Sequence, residues 1–309
     1  MRPIPEVLTF RDIARSIRNW DGYCDRSLTY IVDRAAELRK SSRVHRDPFE
    51  PILPILEAEA PLNQYKKIAD EILRLAPDDE LDPFNAALCS RSYLLVRFAM
   101  QLCIRQRNLR ELLVSPRNGK PKSASTLEGL KRGELRWNER ENCWEVFIPA
   151  AAFKNAQSSF FRGKPYRLFL HDYDGLYTRI ERYLERHRRY LLAGMPDPGT
   201  LFVRSALSSP RTASYDMFGF YAIWKTVIQK YGVYNPYTGN GAILGLLPHG
   251  PHSVRDVVAT HILKQTGSYE LASFALQDTV ESVVRHYARF LPQEKVARAA
   301  AVLDRVWQS

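Results

Sequence analysis

Apolar residues recur at three- and four-residue steps along the first part of the chain, which is the spacing of one face of an α-helix. The positions with this pattern are Phe10, Ile13, Ile17 and Trp20, followed by Leu28, Ile31 and Ala35 or Ala36. Three prolines interrupt the pattern between Arg43 and Pro54, which favours a break or a linker. The sequence therefore predicts a helical N-terminal region over residues 1–60.

A second helical pattern begins near Pro61. Its apolar positions are Tyr65, Ile68, Ile72 and Leu75, then Phe84, Leu88, Leu95, Phe98 and Leu102. They predict one helix and then a longer one that ends near Arg105. Later helices are predicted over residues 176–192, 215–231, 252–264, 269–276 and 279–290.

Three short stretches between these helices have the composition of β-strands, and they read GELRW, CWEVFIPA and YRLFLHD. The polar stretch NEREN separates the first two and predicts a turn. The predicted fold class is therefore mainly α with a small antiparallel β-sheet (α+β).

The chain has 309 residues and a net charge of +11, and this charge is unevenly distributed. Residues 1–64 hold 10 basic and 10 acidic residues, residues 101–140 hold 10 basic against 4 acidic, and residues 160–190 hold 8 against 4. Clustered positive charge is typical of a nucleic-acid-binding face, although a solvated basic surface gives the same pattern.

Other classes of protein find little support in the composition. The four cysteines show no CxxC spacing, so neither a disulfide framework nor a zinc site is expected, and a reducing cytoplasm fits. No apolar run approaches the roughly 18 residues of a membrane span, and residues 1–20 lack a signal-peptide core. A metal-dependent nuclease is disfavoured because no acidic cluster has suitable spacing.

Five residues with useful chemistry follow one another along the chain. Arg105 lies in CIRQRNLRELL, Lys154 in PAAAFKNAQSSFF, His252 and Arg255 in GPHSVRDVVATHIL, and Tyr287 in VESVVRHYARF. His252 and Arg255 are three residues apart, so they share one face of a helix turn. This order, over residues 65–290, resembles the catalytic part of the tyrosine recombinase (phage integrase) family.

The resemblance implies a catalytic domain over residues 61–291, preceded by a helical region that is short for the DNA-clamping domain of the family. It also implies a double-stranded DNA partner and a homo-oligomer, dimer to tetramer, on that DNA. The reaction would pass through a covalent 3′-phosphotyrosyl intermediate with no metal or nucleotide cofactor. A cytoplasmic protein that associates with the nucleoid when bound to DNA is the corresponding expectation.

Metal-free cleavage of a phosphodiester needs a nucleophile, cations on the non-bridging oxygens and an acid for the leaving oxygen. Tyr287 suits the first role and the guanidinium groups of Arg105 and Arg255 suit the second. Lys154 suits the third, and His252 is able to accept the tyrosine proton or to bind the phosphate.

Each assignment also has a plain structural alternative. Asn108 and Glu111 have capping-box spacing, so Arg105 is also explained as a charge at a helix junction. Lys164 competes with Lys154, which is favoured because the lysine of the family usually follows the second strand. The alternative for His252 is a helix-start or surface histidine, and for Tyr287 a core aromatic beside Val283 and Val284. His261 and His286 are interpreted as structural or secondary.

Asp278 departs from the family pattern, which usually has histidine or tryptophan nine residues before the tyrosine. A carboxylate repels phosphate unless a cation lies between them. Asp278 and Glu281 fit the start of the helix that carries Tyr287, so we expect Asp278 to cap that helix. Orientation of Arg255 or His252 is the alternative.

Residues 292–309 predict a tail helix, with Pro292 in the first turn and an apolar stripe through Val296, Ala299 or Ala300, Leu303, and Val306 or Trp307. Packing on its own domain is the simplest interpretation, and related recombinases pass such a segment to a neighbouring subunit. The sequence favours a site-specific recombinase. The alternatives are a DNA-binding protein on a degenerate recombinase fold and an enzyme similar to type IB topoisomerases or telomere resolvases.

Overall fold

The computed structural model describes residues 19–41, 47–157, 161, 163–206 and 212–287, and parts of residues 300–307. The chain divides into two compact units, Met1–Glu50 and Pro51–Ser309. In the first unit, helix α1 (Trp20–Ser41) contains the predicted positions Leu28 and Ile31. The earlier pattern at Phe10, Ile13 and Ile17 lies outside the described residues.

The second unit is mostly helical. Its α-helices are α2 (Leu53–Leu56), α3 (Pro61–Arg74), α4 (Pro83–Leu102), α5 (Gln106–Arg110), α6 (Ala124–Leu130), α7 (Leu176–Arg182), α8 (Arg188–Leu192), α9 (Met217–Val227), α10 (Ser253–Thr266), α11 (Tyr269–Leu276) and α12 (Val280–Tyr287). Two π-helical turns, Tyr183–His187 and Ile228–Gly232, continue α7 and α9. Three 3₁₀ turns, Glu50–Ile52, Ala150–Ala152 and Tyr173–Gly175, complete the helical structure of these residues.

The long helices confirm the sequence pattern. Proline at the first helical position begins both α3 and α4, because it lacks an N–H that would be unpaired there. Asp82 caps α4 by accepting a hydrogen bond from the Asn85 N–H at 3.2 Å. Residues 91–96 of α4 are all buried, so this helix is covered on every side and forms the centre of the unit.

The division between the two units falls inside the proline-rich stretch that was predicted as a break or linker, but the last residues of this stretch pack into the second unit. Ile52 and Ile55 are fully buried, and Leu56 is 3% exposed. Pro54 lies in the first turn of α2, where a proline fits without a lost hydrogen bond. Apolar burial therefore fixes Pro51–Leu56 in the core of the second unit.

The sheet contains the predicted strands together with one that the sequence did not suggest. β2 (Glu134–Asn138), β3 (Cys143–Ile148) and β4 (Tyr166–Phe169) form antiparallel pairs, such as Trp137 opposite Trp144. The short strand β1 (Leu113–Val114) pairs with β2 in parallel, so the sheet is mixed and its order is β1-β2-β3-β4. A two-residue strand is too short to show an alternating pattern.

The predicted turn between β2 and β3 is also present. The Asn138 side chain accepts hydrogen bonds from the N–H groups of Arg140 and Glu141, at 3.0 and 3.2 Å. Asn142 adopts a left-handed conformation, with φ of 49°, which asparagine tolerates well.

Some residues near the C-terminus are described. Helical backbone is found at residues 300, 301, 303–305 and 307. Leu303 is 66% exposed and Trp307 is 88% exposed. The expected packing of the tail stripe on its own domain is therefore not found at these two positions, and Pro292 and Val296 lie outside the described residues.

Within the described part of the chain, each helix is too short or too polar to cross a bilayer.

Candidate active site

The candidate site lies where the C-terminal ends of α4 and α11 meet. Each helix ends in a left-handed residue, Cys103 with φ of 51° and Gln277 with φ of 48°. The buried Gln277 side chain donates from Nε2 to the Leu102 carbonyl at 3.1 Å and so ties the two ends together. The unpaired carbonyl groups and the dipoles of both helices make this point electronegative.

Arg255 fills that point from the first turns of α10. Its guanidinium donates from Nη1 to the Cys103 carbonyl and from Nη2 to the Leu276 carbonyl at 2.7 Å. Arg255 is only 4% exposed, so the two helix ends provide the partners that a buried cation requires. The tertiary structure therefore fixes the position of this guanidinium before any ligand binds.

Arg105 approaches the same point from the residue before α5, and it is half-buried. Its Nη2 donates to Asp278 Oδ2 at 2.8 Å, and the same oxygen lies 3.9 Å from Arg255 Nη2. Burial and the nearby Arg255 charge lower the pKa of Arg105, and Asp278 opposes that shift. One carboxylate therefore lies between the two arginines that the sequence predicts to bind phosphate.

Asp278 does not cap α12, contrary to the prediction. Thr279 has that role, because its hydroxyl oxygen accepts a hydrogen bond from the Ser282 N–H at 3.3 Å. The Asp278 carboxylate accepts from the Thr279 N–H at 3.0 Å instead. Asp278 is thus held at the start of α12 and directed toward Arg105, and its carboxylate also lies 3.9 Å from Arg255, one of the two residues named in the alternative proposed from the sequence.

The capping box proposed for Asn108 and Glu111 is not formed, but Arg105 does lie at a helix junction, between the end of α4 and the start of α5. Helix α5 already begins at Gln106, so Asn108 lies inside it. The Asn108 side chain donates to the Ala152 carbonyl at 3.1 Å, in the connection between β3 and β4. Arg105 itself occupies the N-cap position of α5, and its side chain makes no capping hydrogen bond there.

His252 immediately precedes α10 and is exposed, yet the surrounding protein desolvates its ring enough to lower its pKa. The positive charges of Arg255, Arg105 and His286 lower that pKa further, and Asp278 opposes them. These four residues therefore lie within electrostatic reach of one imidazole. His252 is a neutral base at neutral pH under these influences.

Lys154 lies in the connection between β3 and β4, as predicted, with its side chain exposed. Its neighbour Asn155 reaches the site, accepting from Arg105 Nη1 at 2.8 Å and donating from Nδ2 to the Gln277 carbonyl at 3.0 Å. Lys164 is also exposed and lies just before β4. The described contacts therefore link the segment of Lys154 to Arg105.

Tyr287 is the last described residue of α12, and its side chain lies outside the described residues. Val283, one turn earlier, is 1% exposed, whereas Val284 is 41% exposed. His286 influences the pKa of His252, so the end of α12 lies near the site. The sequence had assigned His286 a structural or secondary role. His261 is half-buried on α10, where burial lowers its pKa.

Asn155 and Gln277 were not found from the sequence. Each bonds to main-chain carbonyl groups or to residues more than a hundred positions away, and no local pattern indicates such contacts. The adjacency of Asn155 to Lys154 was the available signal. Both side chains connect parts of the site through hydrogen bonds, and neither has a proposed role as nucleophile, acid or base.

Part of the clustered positive charge is paired with carboxylates of the same chain. Glu145, 2% exposed in β3, pairs with Arg167 at 2.7 Å and Arg136 at 3.3 Å. Arg182 pairs with Asp79 at 2.6 Å, and Arg117 with Glu181 at 2.8 Å. Internal ion pairs therefore account for part of the basic excess in residues 101–140 and 160–190.

No family model and no curated protein sequence matches the chain. Among solved structures it is similar to XerH site-specific recombinase bound to palindromic difH substrate in a post-cleavage complex, with a TM-score of 0.45 and 14% identity over 78% of this chain and 52% of that one. It is also similar to XerH bound to difH substrate in a pre-cleavage complex, with a TM-score of 0.45 and 13% identity over 78% of this chain and 53% of that one. The chain therefore spans about half the length of both recombinase chains.

Proposed function

We propose that this protein cleaves and rejoins duplex DNA, with Tyr287 as the nucleophile. The observation that carries the proposal is the convergence of Arg105, Arg255 and His252 at one point near the end of α12. Two guanidinium groups can neutralise the negative charge that develops on the phosphate oxygens, and a neutral imidazole can accept the proton of the nucleophile.

The arginines would bind the non-bridging oxygens of the scissile phosphate. Arg255 is suited to this role because the carbonyl groups of Cys103 and Leu276 fix its guanidinium in place and leave further N–H groups unused by them. Groups that are already in position lose no free energy to reorganisation as negative charge develops. This charge neutralisation comes from the protein itself.

The transfer of protons follows from the remaining groups. Tyr287 Oη would attack phosphorus as the bond to the 5′ oxygen breaks, and the phenol proton would pass to His252. The lowered pKa of His252 keeps its ring unprotonated and able to accept that proton. The Lys154 ammonium would donate a proton to the departing 5′ oxygen, and the reverse sequence would rejoin a 5′-hydroxyl to the 3′-phosphotyrosyl group.

DNA binding would depend strongly on salt, because phosphate contacts from basic residues release counterions. A homo-oligomer on DNA is part of the proposal, and the exposed Leu303 and Trp307 are available to a neighbouring subunit. Deletion of residues 292–309 is expected to weaken oligomers on DNA while the monomer still folds. Unchanged assembly, measured by sedimentation with duplex DNA, would count against a role for the tail in trans.

A DNA duplex with a nick near the cleavage site tests the central claim. Loss of the short fragment traps the covalent intermediate, which migrates slowly in a denaturing gel. We expect an adduct with the wild-type protein and none with Tyr287→Phe. Tyr190→Phe is a matched control, because Tyr190 is 39% exposed on α8 and has no proposed role.

A second candidate function is DNA binding without cleavage. The ion pair between Arg105 and Asp278 supports it, since a carboxylate already neutralises one of the two arginines. Tight binding of the nicked duplex with no adduct would favour this function. If an adduct forms, supercoiled plasmids with one or two target sites distinguish strand exchange from the relaxation expected of a type IB topoisomerase.

A further inference from the structure

Asn155 connects three parts of the candidate site. Its side-chain oxygen accepts a hydrogen bond from Arg105 Nη1 at 2.8 Å, and its side-chain nitrogen donates to the Gln277 carbonyl at 3.0 Å. One amide group therefore bridges the residue before α5 and the residue after α11. Both atoms of that amide are used, which fixes its orientation.

The residue before Asn155 is Lys154, which is exposed and forms no ion pair with any described residue. A lysine side chain has a flexible stem of four carbons and many rotamers, so the side chain alone does not fix the position of its ammonium group. Its reach is set by the backbone from which it extends. The contacts that hold residues 152–155 therefore decide where the ammonium can act.

The other side of Lys154 is held by apolar packing. Phe153 is 5% exposed, and its ring stacks on Phe161 with centroids 4.4 Å apart. The Ala152 carbonyl accepts a hydrogen bond from the Asn108 side chain at 3.1 Å. Lys154 thus lies between Phe153, which is held by apolar packing, and Asn155, which is held by hydrogen bonds. Of these contacts, only those of Asn155 are made with residues of the candidate site.

We infer that Asn155 is a positioning residue that holds Lys154 in reach of the leaving 5′ oxygen. This inference rests on the proposed function and adds to it the residue that couples the lysine segment to Arg105. Without the Asn155 side chain, the segment that carries Lys154 loses its link to Arg105 and Gln277. The ammonium would then be misplaced, and a displacement of about 1 Å is sufficient to cost roughly a hundredfold in rate.

The test compares a normal oxygen at the 5′ leaving position with a sulfur at that position. A thiol has a pKa of about 8.5, so sulfur departs as a thiolate without a proton from the enzyme. Loss of a correctly placed acid therefore slows cleavage of the oxygen substrate and leaves cleavage of the sulfur substrate nearly unchanged. Loss of a phosphate-binding group slows both.

We expect Asn155→Ala to cleave the oxygen substrate about a hundredfold more slowly than the wild type, and the sulfur substrate at about the wild-type rate. Lys154→Ala should show the same pattern, and Arg105→Ala should be slow on both substrates. Asn63→Ala is a matched control, because Asn63 is exposed on α3. If Asn155→Ala proves unfolded by circular dichroism, Asn155→Ser provides the same comparison with a hydroxyl too short to bridge both partners.

Each result decides between the claims. Slow cleavage of both substrates by a folded Asn155 variant would show that Asn155 acts through Arg105, and would overturn the inference while the proposed function remains. Wild-type rates for the Asn155 variant on the oxygen substrate would overturn it as well. Absence of a tyrosyl adduct from the wild type on both substrates would overturn the proposed function and the inference together.

Discussion

Arg105 and Asp278 lie 173 positions apart in the chain and form an ion pair with an Nη2 to Oδ2 distance of 2.8 Å. The pair is half-buried, with 27% of the arginine side chain and 22% of the aspartate side chain exposed. The carboxylate also lies 3.9 Å from Arg255. The Asp278 carboxylate therefore occupies the region where the proposed function requires a DNA phosphate.

The first prediction concerns competition between that carboxylate and DNA. The Asp278 carboxylate accepts from the Thr279 N–H through Oδ1 and from Arg105 through Oδ2, so Asp278→Asn removes the negative charge and keeps one of these two acceptor oxygens. We expect tighter binding of a short DNA duplex, by about tenfold or 1.4 kcal/mol, because phosphate no longer competes with a carboxylate. Fluorescence anisotropy at fixed salt measures the difference.

Glu281→Gln is the control for this charge change, since it removes one negative charge from an 82% exposed side chain on the same helix. Its binding should stay close to that of the wild type. Weaker DNA binding by Asp278→Asn would mean that the carboxylate positions Arg105 for the phosphate instead of competing with it.

The second prediction concerns the structural work of Arg255. Arg255→Ala leaves two buried carbonyl groups, those of Cys103 and Leu276, without their donor. We expect the free energy of unfolding to fall by about 3 kcal/mol, since each unsatisfied buried acceptor costs about 1–3 kcal/mol. Urea denaturation followed by tryptophan fluorescence provides the measurement.

The comparison for Arg255→Ala is Arg285→Ala, which breaks an exposed pair with Glu281 one turn away. An exposed pair of this kind contributes about 0.5 kcal/mol. Equal stability of the two variants would contradict the structural role of Arg255. Arg255→Lys should also be destabilising, because an ammonium group lacks the planar, widely spaced donors that match these two carbonyl groups.

The third prediction is the sign of two shifts in the pKa of His252. Arg105 lowers that pKa and Asp278 raises it. Arg105→Gln should therefore raise the pKa of His252, and Asp278→Asn should lower it further below the ordinary value of 6.5. NMR titration of the histidine ring protons resolves both directions, and shifts of the same sign in the two variants would refute the proposed arrangement of charges.

The same shift predicts the pH dependence of cleavage. A general base must be neutral, so the rate falls as the pH drops through the pKa of His252. Because that pKa is lowered, the acid limb of the wild-type profile should lie below pH 6.5. Single-turnover cleavage of the nicked duplex across pH 4.5 to 8, roughly two units on either side of that ordinary histidine pKa, locates the limb.

The fourth prediction concerns stability and depends on His249. This residue is 3% exposed, its Nε2 bonds to the Tyr65 hydroxyl at 3.0 Å, and burial lowers its pKa to about 4. Between pH 6.5 and 4 the unfolded chain binds a proton that the folded protein does not bind. The stability contributed by this residue is therefore complete above pH 6.5 and decreases as the pH falls toward 4.

Between pH 7.5 and pH 5 this linkage amounts to about 2 kcal/mol. His249→Gln cannot titrate, so its loss of stability over that interval should be smaller than that of the wild type by about this amount. The exposed His171→Gln is the control and should lose as much as the wild type. Identical losses in all three proteins would contradict the buried, neutral state of His249.

The sequence by itself determined the elements whose signals are local. Apolar residues at three- and four-residue steps predict α3 and α4, and the helical patterns over residues 252–264 and 269–276 predict α10 and α11. Strand-like composition and the polar turn NEREN predict β2, β3 and β4. The short elements β1, α5 and α6 were not predicted, because a few residues carry too little periodicity.

Only the tertiary structure decided how the candidate residues are partnered. The sequence indicates no partner for Arg255, whereas in the folded chain its guanidinium donates hydrogen bonds to carbonyl groups at the ends of two helices. Asp278 looks like a helix cap, and the fold turns it toward Arg105 while Thr279 caps the helix. Such contacts join residues far apart in the chain, so they depend on the packing of α4, α10 and α11, and a local pattern of residues does not contain that information.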